Sequence, residues 1–440
     1  MKYFITTLGC KVNQAESEAI AHILKDADSD QTRNEAEADI CIINTCTVTG
    51  KASMQSRQAI RKAIKANPNA RIVVTGCYAQ TETDEIKKIK GVHYIIGQSS
   101  KSLIPELALS GEKHKNMSSP VLIRNEMGKE EPFNRIPVNV SGIRTRPFLK
   151  IQDGCNSFCT YCIVPYSRGR SRSMPLEEVL NNIKTLDKAG YKETVLTGIH
   201  LGCYGLDLTP ETSLFKLLDR IDKSTTIERI RLSSIEPHEL NNEIIELVAE
   251  SDKICNHFHV PLQSGSDNIL KRMNRPYTSN KFREMILKIS KSIPDAAIGV
   301  DTLIGFPGET EKEFENTFSL IKELPVTYLH VFPFSPRKGT PAEKYSDRVD
   351  TRVVKARCKK MRELGIKKKR AFCEESIGKT HKVLLEEKRD DKTGLLKGIT
   401  SNYISVLSDG PDCFKNTITD ISIDRLIDNN SVSGTILMNS

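Results

Sequence analysis

The sequence predicts an α/β protein in three parts: an N-terminal doubly wound parallel sheet, a central partial (βα)6 barrel and a small C-terminal β-barrel. Three observations lead there. Strand-like and helix-like periods alternate over the first ~95 residues and again from about residue 148 to about 332, the pattern of parallel sheets with helical crossovers. After about Phe372 the helical period stops, and short β-type runs broken by Gly, Asp and Asn take over. At 440 residues the chain is too long for one compact core. The expected parts are residues 1–110, 141–370 and 371–440.

In the first part, residues 2–7, 39–44, 71–75 and 93–96 read as strands, and 14–27, 51–66 and a stretch from about 82 read as helices. A cysteine follows each of the first three strands: Cys10, Cys46 and Cys77. Loops after parallel strands share one edge of the sheet, where ligands bind, so these thiols are expected to converge. They suit a metal cluster with three protein ligands. Buried free cysteine is the competing reading, and it is assigned to Cys41, inside a strand. Residues 98–146, rich in Ser, Lys, Glu, Asn and Pro, read as a linker.

The central series places strands at 148–152, 192–197, 229–233, 257–261, 297–303 and 328–332, separated by helices such as 176–189 and 239–250. Such units suit an open or partial barrel with its chemistry at the carboxyl ends of the strands. In the tail, 381–385, 403–407, 419–423 and 433–437 read as strands of a small barrel or sandwich.

The loop after the first central strand reads Gly154-Cys155-Asn156-Ser157-Phe158-Cys159-Thr160-Tyr161-Cys162. Thiolates at C-x3-C-x2-C spacing hold three corners of an iron–sulfur cube and leave one iron open to a small molecule. A zinc site is the other reading, but it needs a fourth ligand to close a tetrahedron, and none stands near in sequence. Cys203, Cys255, Cys358, Cys373 and Cys413 carry no motif and are expected not to be ligands, while Met273 and Met361 suit core gaps.

Twelve cysteines without a secretion signal argue against a disulfide scaffold and for a reducing, cytoplasmic setting. The start lacks an apolar h-region, and no run of about 18 apolar residues occurs, so no membrane partner is expected. The net charge of +9 is concentrated: residues 351–370 hold ten Lys/Arg against one acid, Glu363. There Val354, Cys358, Met361 and Leu364 recur on one helical face, with Arg352, Lys355, Lys359 and Arg362 on the other. That face is either a footprint for nucleic acid or simply solvated. The tail is mildly acidic, with eight Lys/Arg and eleven Asp/Glu in 371–440.

The run from Ile151 to Arg170 resembles the radical-SAM methylthiotransferases. So do Thr7-Leu8-Gly9-Cys10-Lys11-Val12-Asn13-Gln14, Asn44-Thr45-Cys46-Thr47-Val48-Thr49, Thr75-Gly76-Cys77-Tyr78-Ala79-Gln80 and the segments 259–266 and 301–310. The resemblance covers almost the whole chain, and the tail is similar to a TRAM domain, which holds RNA in this family. The first cysteine motif resembles the bacterial branch acting on N6-threonylcarbamoyladenosine, the tRNA nucleoside 3′ of the anticodon. Sister branches act on isopentenyladenosine in tRNA or on an aspartate of a ribosomal protein.

The resemblance implies a radical-SAM barrel and two 4Fe–4S clusters. One sits on Cys155, Cys159 and Cys162, the catalytic set, and binds S-adenosylmethionine to yield a 5′-deoxyadenosyl radical. The other, on Cys10, Cys46 and Cys77, carries sulfur, and a second S-adenosylmethionine supplies the methyl group. A radical cofactor suits an aromatic C2–H bond that offers no handle for acid–base chemistry. Cofactor contacts fall by resemblance on Tyr161, Thr197, Gly198, Ser234, Glu236, Gln263 and Gly305. For the polar ones a loop or cap hydrogen bond is the alternative. The partners implied are a tRNA anticodon stem-loop, an electron donor of flavodoxin or ferredoxin type, and a sulfur donor the sequence does not identify. The target nucleotide must swing out of its stack, and Arg144, Arg146, Arg168, Arg170 and Arg172 are expected to guide the surrounding phosphates. A rival class is an RNA-binding iron–sulfur redox sensor without S-adenosylmethionine turnover.

Overall fold

The computed structural model describes residues 1–109, 119–125, 132–135, 137–138, 140 and 144–437. Lys2–Thr7, Ile40–Thr45, Arg71–Gly76 and Tyr94–Ile96 lie side by side as parallel strands, flanked by Asp30–Gln31 at one edge and Val121–Ile123 at the other. Ile40–Thr45 is buried along its whole length, as a central strand covered on both faces must be. Helices Lys11–Asp26 and Gly50–Ala66 close two separate cores. Ile20 and Leu24 pack on Ile42 and Val73, and Ile60 and Ala63 pack on Ile43 and Val74. Cys41 belongs to the second core as a buried free thiol.

The linker expectation for 98–146 is corrected in part. A 3-10 turn, Gln98–Leu103, and a helix, Ile104–Leu109, pack on the sheet, and Val121–Ile123 extends it. These elements are too short for a period to show in the sequence. The expected boundaries at 110 and 141 lie outside the described residues.

Phe148–Lys150, Glu193–Thr197 and Arg229–Leu232 form one parallel sheet; His257–Gln263, Ala297–Ile304 and Tyr328–Pro333 form a second. A bridge between Ile230 and Ile254, and the Ile235 N–H donating to the His259 carbonyl at 3.0 Å, join the two into a partial barrel of six strands. Among the described residues no ladder joins the first of these strands to the last. The helix Lys11–Asp26 lies beside that open flank, against Phe148–Lys150. Met273 and Met361 are fully buried, as gap-fillers should be.

The tail closes a five-stranded barrel: Thr380–Leu385, Leu396–Thr400, Ser405–Ser408, Ser431–Ile436 and Ile418–Leu426. Leu396–Thr400 escaped the sequence reading because Gly398 interrupts it; a Cβ there would lie 2.5 Å from Val383 Cγ1. Tyr403, expected in a strand, is instead a turn residue with φ +64°. This turn plugs the amino end of the central barrel. Arg231 Nη1 and Nη2 donate to the Ser401 and Thr400 carbonyls at 2.8 and 3.0 Å, and the Tyr403 ring stacks on His257 with centroids 4.4 Å apart. The basic segment is one helix, Thr351–Glu374, packed on the last central strand; Arg352, Lys355, Lys359 and Arg362 are exposed on it, as the periodicity predicted. No described helix is long and apolar enough to cross a membrane.

Candidate functional site

The three N-terminal cysteines stand where three adjacent strands end. Cys10 caps the helix Lys11–Asp26, Cys46 follows Ile40–Thr45, and Cys77 opens the helix Cys77–Thr81. Gly9 has φ +99°, and a Cβ there would lie 2.9 Å from Cys46 Sγ, so only glycine lets these two loops approach. Asn13 ties them, its Nδ2 donating to the Leu8 and Thr45 carbonyls at 2.7 and 3.0 Å. Cys10 is exposed at the rim; Cys46 and Cys77 are buried. Burial first, and then Cys77 and Cys10, push the Cys46 thiol up to about 12. Thiols this close repel as thiolates until a cation takes them. Gln98 Nε2 donates to Cys77 Sγ at 3.1 Å.

The second triad lies on the loop after the first central strand. Burial raises the Cys155 thiol, but His200 Nδ1 at 3.2 Å and the Ser157 N–H at 3.4 Å outweigh it and leave the thiol below its ordinary value. Arg275 Nη1 donates to Cys159 Sγ at 3.3 Å. Burial, followed by Cys159, pushes Cys162 up to about 12. The segment after the last central strand touches both cysteine loops. Arg337 Nη2 donates to Thr47 Oγ1 and Ser53 Oγ at 2.8 and 3.0 Å, and the Ala342 N–H donates to the Thr160 carbonyl at 2.8 Å. The mouth of the barrel therefore faces the cysteine edge of the N-terminal sheet.

Between the triads lies a buried ionic cluster. Arg168 Nη1 meets Asp153 Oδ1 at 2.8 Å and Glu16 Oε1 at 3.1 Å, Lys150 meets Glu16 at 3.2 Å and Asp153 at 3.4 Å, and Lys101 bonds Glu16. Arg172 adds a fourth cation 3.8 Å from Asp153. Four cations thus share the site with two carboxylates. The surplus lies beside Cys10 and Cys77, whose charges act on Arg168. An anionic metal–thiolate group fits that surplus, and an apolar plug would leave it uncompensated.

The residues expected at the cofactor occupy the barrel mouth. Thr197 ends its strand, buried. Gly198 lies so near Gln152 that a Cβ would come within 2.9 Å of its Oε1, and that oxygen accepts the Ile199 and His200 N–H groups at 2.9 and 2.7 Å. Glu236 pairs with Arg275, and Ser234 is half-buried in the same loop. Gln263 ends its strand at φ +65°. Tyr161 meets the edge of Phe306 in a small apolar cluster. Gly305, at φ +77°, faces Val354 of the basic helix, whose Cγ2 would lie 2.3 Å from a Cβ. His200, Arg275, Gln98 and Arg337 were missed. Each is remote in sequence from the cysteine or cysteine loop it contacts, and no motif marks it.

The arginine expectations are corrected for Arg146, Arg168 and Arg172. Arg168 is fully buried and Arg172 nearly so, locked into the ionic cluster away from any phosphate. Arg146 clamps the tail, pairing with Glu386 at 3.0 Å. Arg144, half-exposed, is held by Glu18 and Gln14 and lies over the Phe148 ring. Arg170 is exposed, its guanidinium 5.0 Å from the Phe158 ring centroid. Arginine spacing in sequence cannot distinguish a phosphate contact from a buried ion pair.

Comparison with known proteins adds three findings. Residues 149–321 match the Radical SAM superfamily, and residues 2–97 match an uncharacterized protein family, UPF0004. The chain is 40% identical, over 95% of its length and 92% of the relative's, to the threonylcarbamoyladenosine tRNA methylthiotransferase MtaB of Bacillus subtilis (strain 168). It is 37% identical, over 93% and 91%, to the tRNA-2-methylthio-N(6)-dimethylallyladenosine synthase of Clostridium botulinum (strain Okra / Type B1). In fold it is similar to the radical S-adenosylmethionine methyltransferase TsrM from Kitasatospora setae, with TM-score 0.56 and 14% identity over 78% and 76% of the two chains.

Proposed function

The chain belongs to the radical-SAM methylthiotransferase family, and we propose that it converts N6-threonylcarbamoyladenosine, 3′ of the tRNA anticodon, to its 2-methylthio derivative. The family brings S-adenosylmethionine and a 4Fe–4S cluster, for which Cys155, Cys159 and Cys162 are the ligands we assign. We assign a second cluster to Cys10, Cys46 and Cys77. The observation that carries this reading is the buried surplus of cations beside that triad, which calls for an anionic group.

When bound, these groups supply the radical and sulfur-transfer chemistry that an aromatic C–H bond demands. The side chains hold and tune the ligands. His200 and the Ser157 N–H favour the Cys155 thiolate, Arg275 donates to Cys159, and Gln98 donates to Cys77. Asn13, Arg337 and the Arg168 cluster fix the N-terminal sheet against the barrel mouth. The exposed basic face of Thr351–Glu374 and Arg170 would take RNA phosphates, and the reductant would be of flavodoxin or ferredoxin type.

Mass spectrometry of tRNA nucleosides from cells with and without the gene tests the reading. Loss of 2-methylthio-N6-threonylcarbamoyladenosine is the expected result. Loss of the dimethylallyl product instead, or no change in tRNA, refutes the substrate. Recovery of only about four irons per anaerobically reconstituted chain refutes the second cluster.

A further inference from the structure

The loops after the second and third central strands meet beside Cys155. Glu193–Thr197 leads into His200, which opens a 3-10 turn, Leu201–Cys203, and Glu239 lies in the loop after Arg229–Leu232. His200 is buried, with 5% of its surface exposed. Its Nδ1 lies 3.2 Å from both Cys155 Sγ and Ser157 Oγ, and 3.6 Å from Cys203 Sγ. Its Nε2 lies 2.7 Å from Glu239 Oε1, an oxygen that also accepts from Cys203 Sγ at 3.1 Å and stands 3.8 Å from His238 Nε2. One imidazole thus bridges an assigned cluster thiolate and a carboxylate. Both are acceptors, so the ring meets both only with a hydrogen on each nitrogen, as a cation.

The arrangement is held from several sides. Gln152 Oε1 accepts the His200 N–H at 2.7 Å, and Gln152 Nε2 donates to the Gly154 carbonyl at 2.8 Å, so one side chain ties the histidine loop to the cysteine loop. A Cβ at Gly202 would lie 2.0 Å from Glu239 Oε2, and glycine leaves the room that the carboxylate takes. The ring therefore has a fixed position relative to the thiolate and a fixed anion behind it.

We propose that the Glu239–His200 couple sets the reduction potential of the cluster assigned to Cys155, Cys159 and Cys162, raising it by stabilising the reduced form. This rests on that cluster assignment. Reduction adds one negative charge to the cluster and its thiolates. A donor aimed at a ligand sulfur, in a site with little water, holds the added charge and so favours the reduced state. Glu239 acts through His200. It keeps the ring turned and charged, while the imidazole stands between its own charge and the sulfur. Both are positioning residues.

The test is a reductive titration of the full chain, anaerobically reconstituted and followed by electron paramagnetic resonance. The cluster in question is read from the signal that S-adenosylmethionine perturbs. His200→Phe keeps a flat ring and removes the donor. At a fixed potential its ratio of reduced to oxidised cluster should fall about tenfold, a midpoint lower by about 59 mV. His200→Asn keeps an N–H near the Nδ1 position and should recover part of that shift. Glu239→Gln separates the couple from plain charge: removal of a nearby anion alone would raise the midpoint, whereas loss of the couple lowers it. In the His200→Asn background, Glu239→Gln should no longer lower it. Iron content and circular dichroism establish that each variant is folded and loaded, and if His200→Phe fails to load, the Glu239→Gln midpoint decides. An unmoved midpoint in loaded His200→Phe overturns the proposal, as does a midpoint unmoved or raised by Glu239→Gln. A native protein with no signal that responds to S-adenosylmethionine sinks the cluster assignment itself.

Discussion

Replacing Glu16 with glutamine keeps the shape of the interface between the N-terminal sheet and the barrel and removes one charge. Glu16 is the anion on which Lys101, Lys150 and Arg168 meet. Burial alone would raise its carboxyl, but Arg168, Lys101 and Lys150 outweigh burial and hold it well below the usual range. At 3.1 to 3.2 Å and an effective dielectric constant near 20, each ion pair represents roughly 5 kcal/mol of gross Coulomb energy. Relief of the Glu16 desolvation offsets much of that. The net loss on breaking a buried pair from one side is about 3–5 kcal/mol. With Glu16→Gln, Lys150, Arg168 and Arg172 keep Asp153 as their one carboxylate, and Lys101 loses its own. At ~2–4 °C per kcal/mol, the midpoint of anaerobic thermal unfolding should fall by roughly 6–20 °C. Adding Arg168→Met should recover part of the loss, since it removes a cation the first change stranded. The sign with pH follows. Because the folded carboxyl is depressed, its contribution is present above about pH 4.3 and disappears as pH falls below it. A Glu16→Gln protein that melts within a degree or two of the native one, or a double variant showing simple additivity, would refute the cluster as the joint between the two halves.

Arg170→Ala should weaken anticodon stem-loop binding and lower the salt slope by about one contact, whereas Arg168→Met should leave the slope unchanged and lower the melting midpoint; filter binding across a salt series checks both. Lys355→Ala with Lys359→Ala on the exposed helical face should flatten the slope by about two, and an unchanged slope would mark that face as merely solvated. Burial, reinforced by Arg231, His259, Lys11 and Lys369, holds His257 well below its ordinary value, so it folds neutral. Its contribution is therefore present above about pH 6.5 and lost as pH falls, by at most ~1.4 kcal/mol per unit; calorimetry at pH 7 and 5.5 should show a smaller shift for His257→Phe than for the native chain. Cys46→Ala should lose about half the bound iron while the Cys155 triad stays loaded, and retention of all the iron would remove Cys46 from the ligands.

The alternation of strand and helix periods is local, and so the order of elements through the first sheet and the six central strands is legible residue by residue. The same holds for the basic helix, whose exposed Arg352, Lys355, Lys359 and Arg362 follow from a 3.6-residue period alone. The strands at Val121–Ile123 and Leu396–Thr400 were not legible, because one is three residues long in a polar stretch and the other carries Gly398 at its centre. The C-x3-C-x2-C loop is visible because its ligands are neighbours in sequence. The convergence of Cys10, Cys46 and Cys77 followed from a topological rule, that loops at one end of a parallel sheet lie together.

What the sequence determined by itself was whatever depends on short range: periodicity, the spacing of the cysteines, the placement of charge along one helix. What tertiary structure decided was the partner of each charged and polar side chain. Arg168 and Arg170 stand two residues apart in near-identical surroundings, yet one is sealed against Glu16 and Asp153 and the other reaches solvent. Of the two carboxylates that pair with Arg168, Asp153 is 15 residues away but Glu16 is 152, and no local pattern encodes a pairing across that distance.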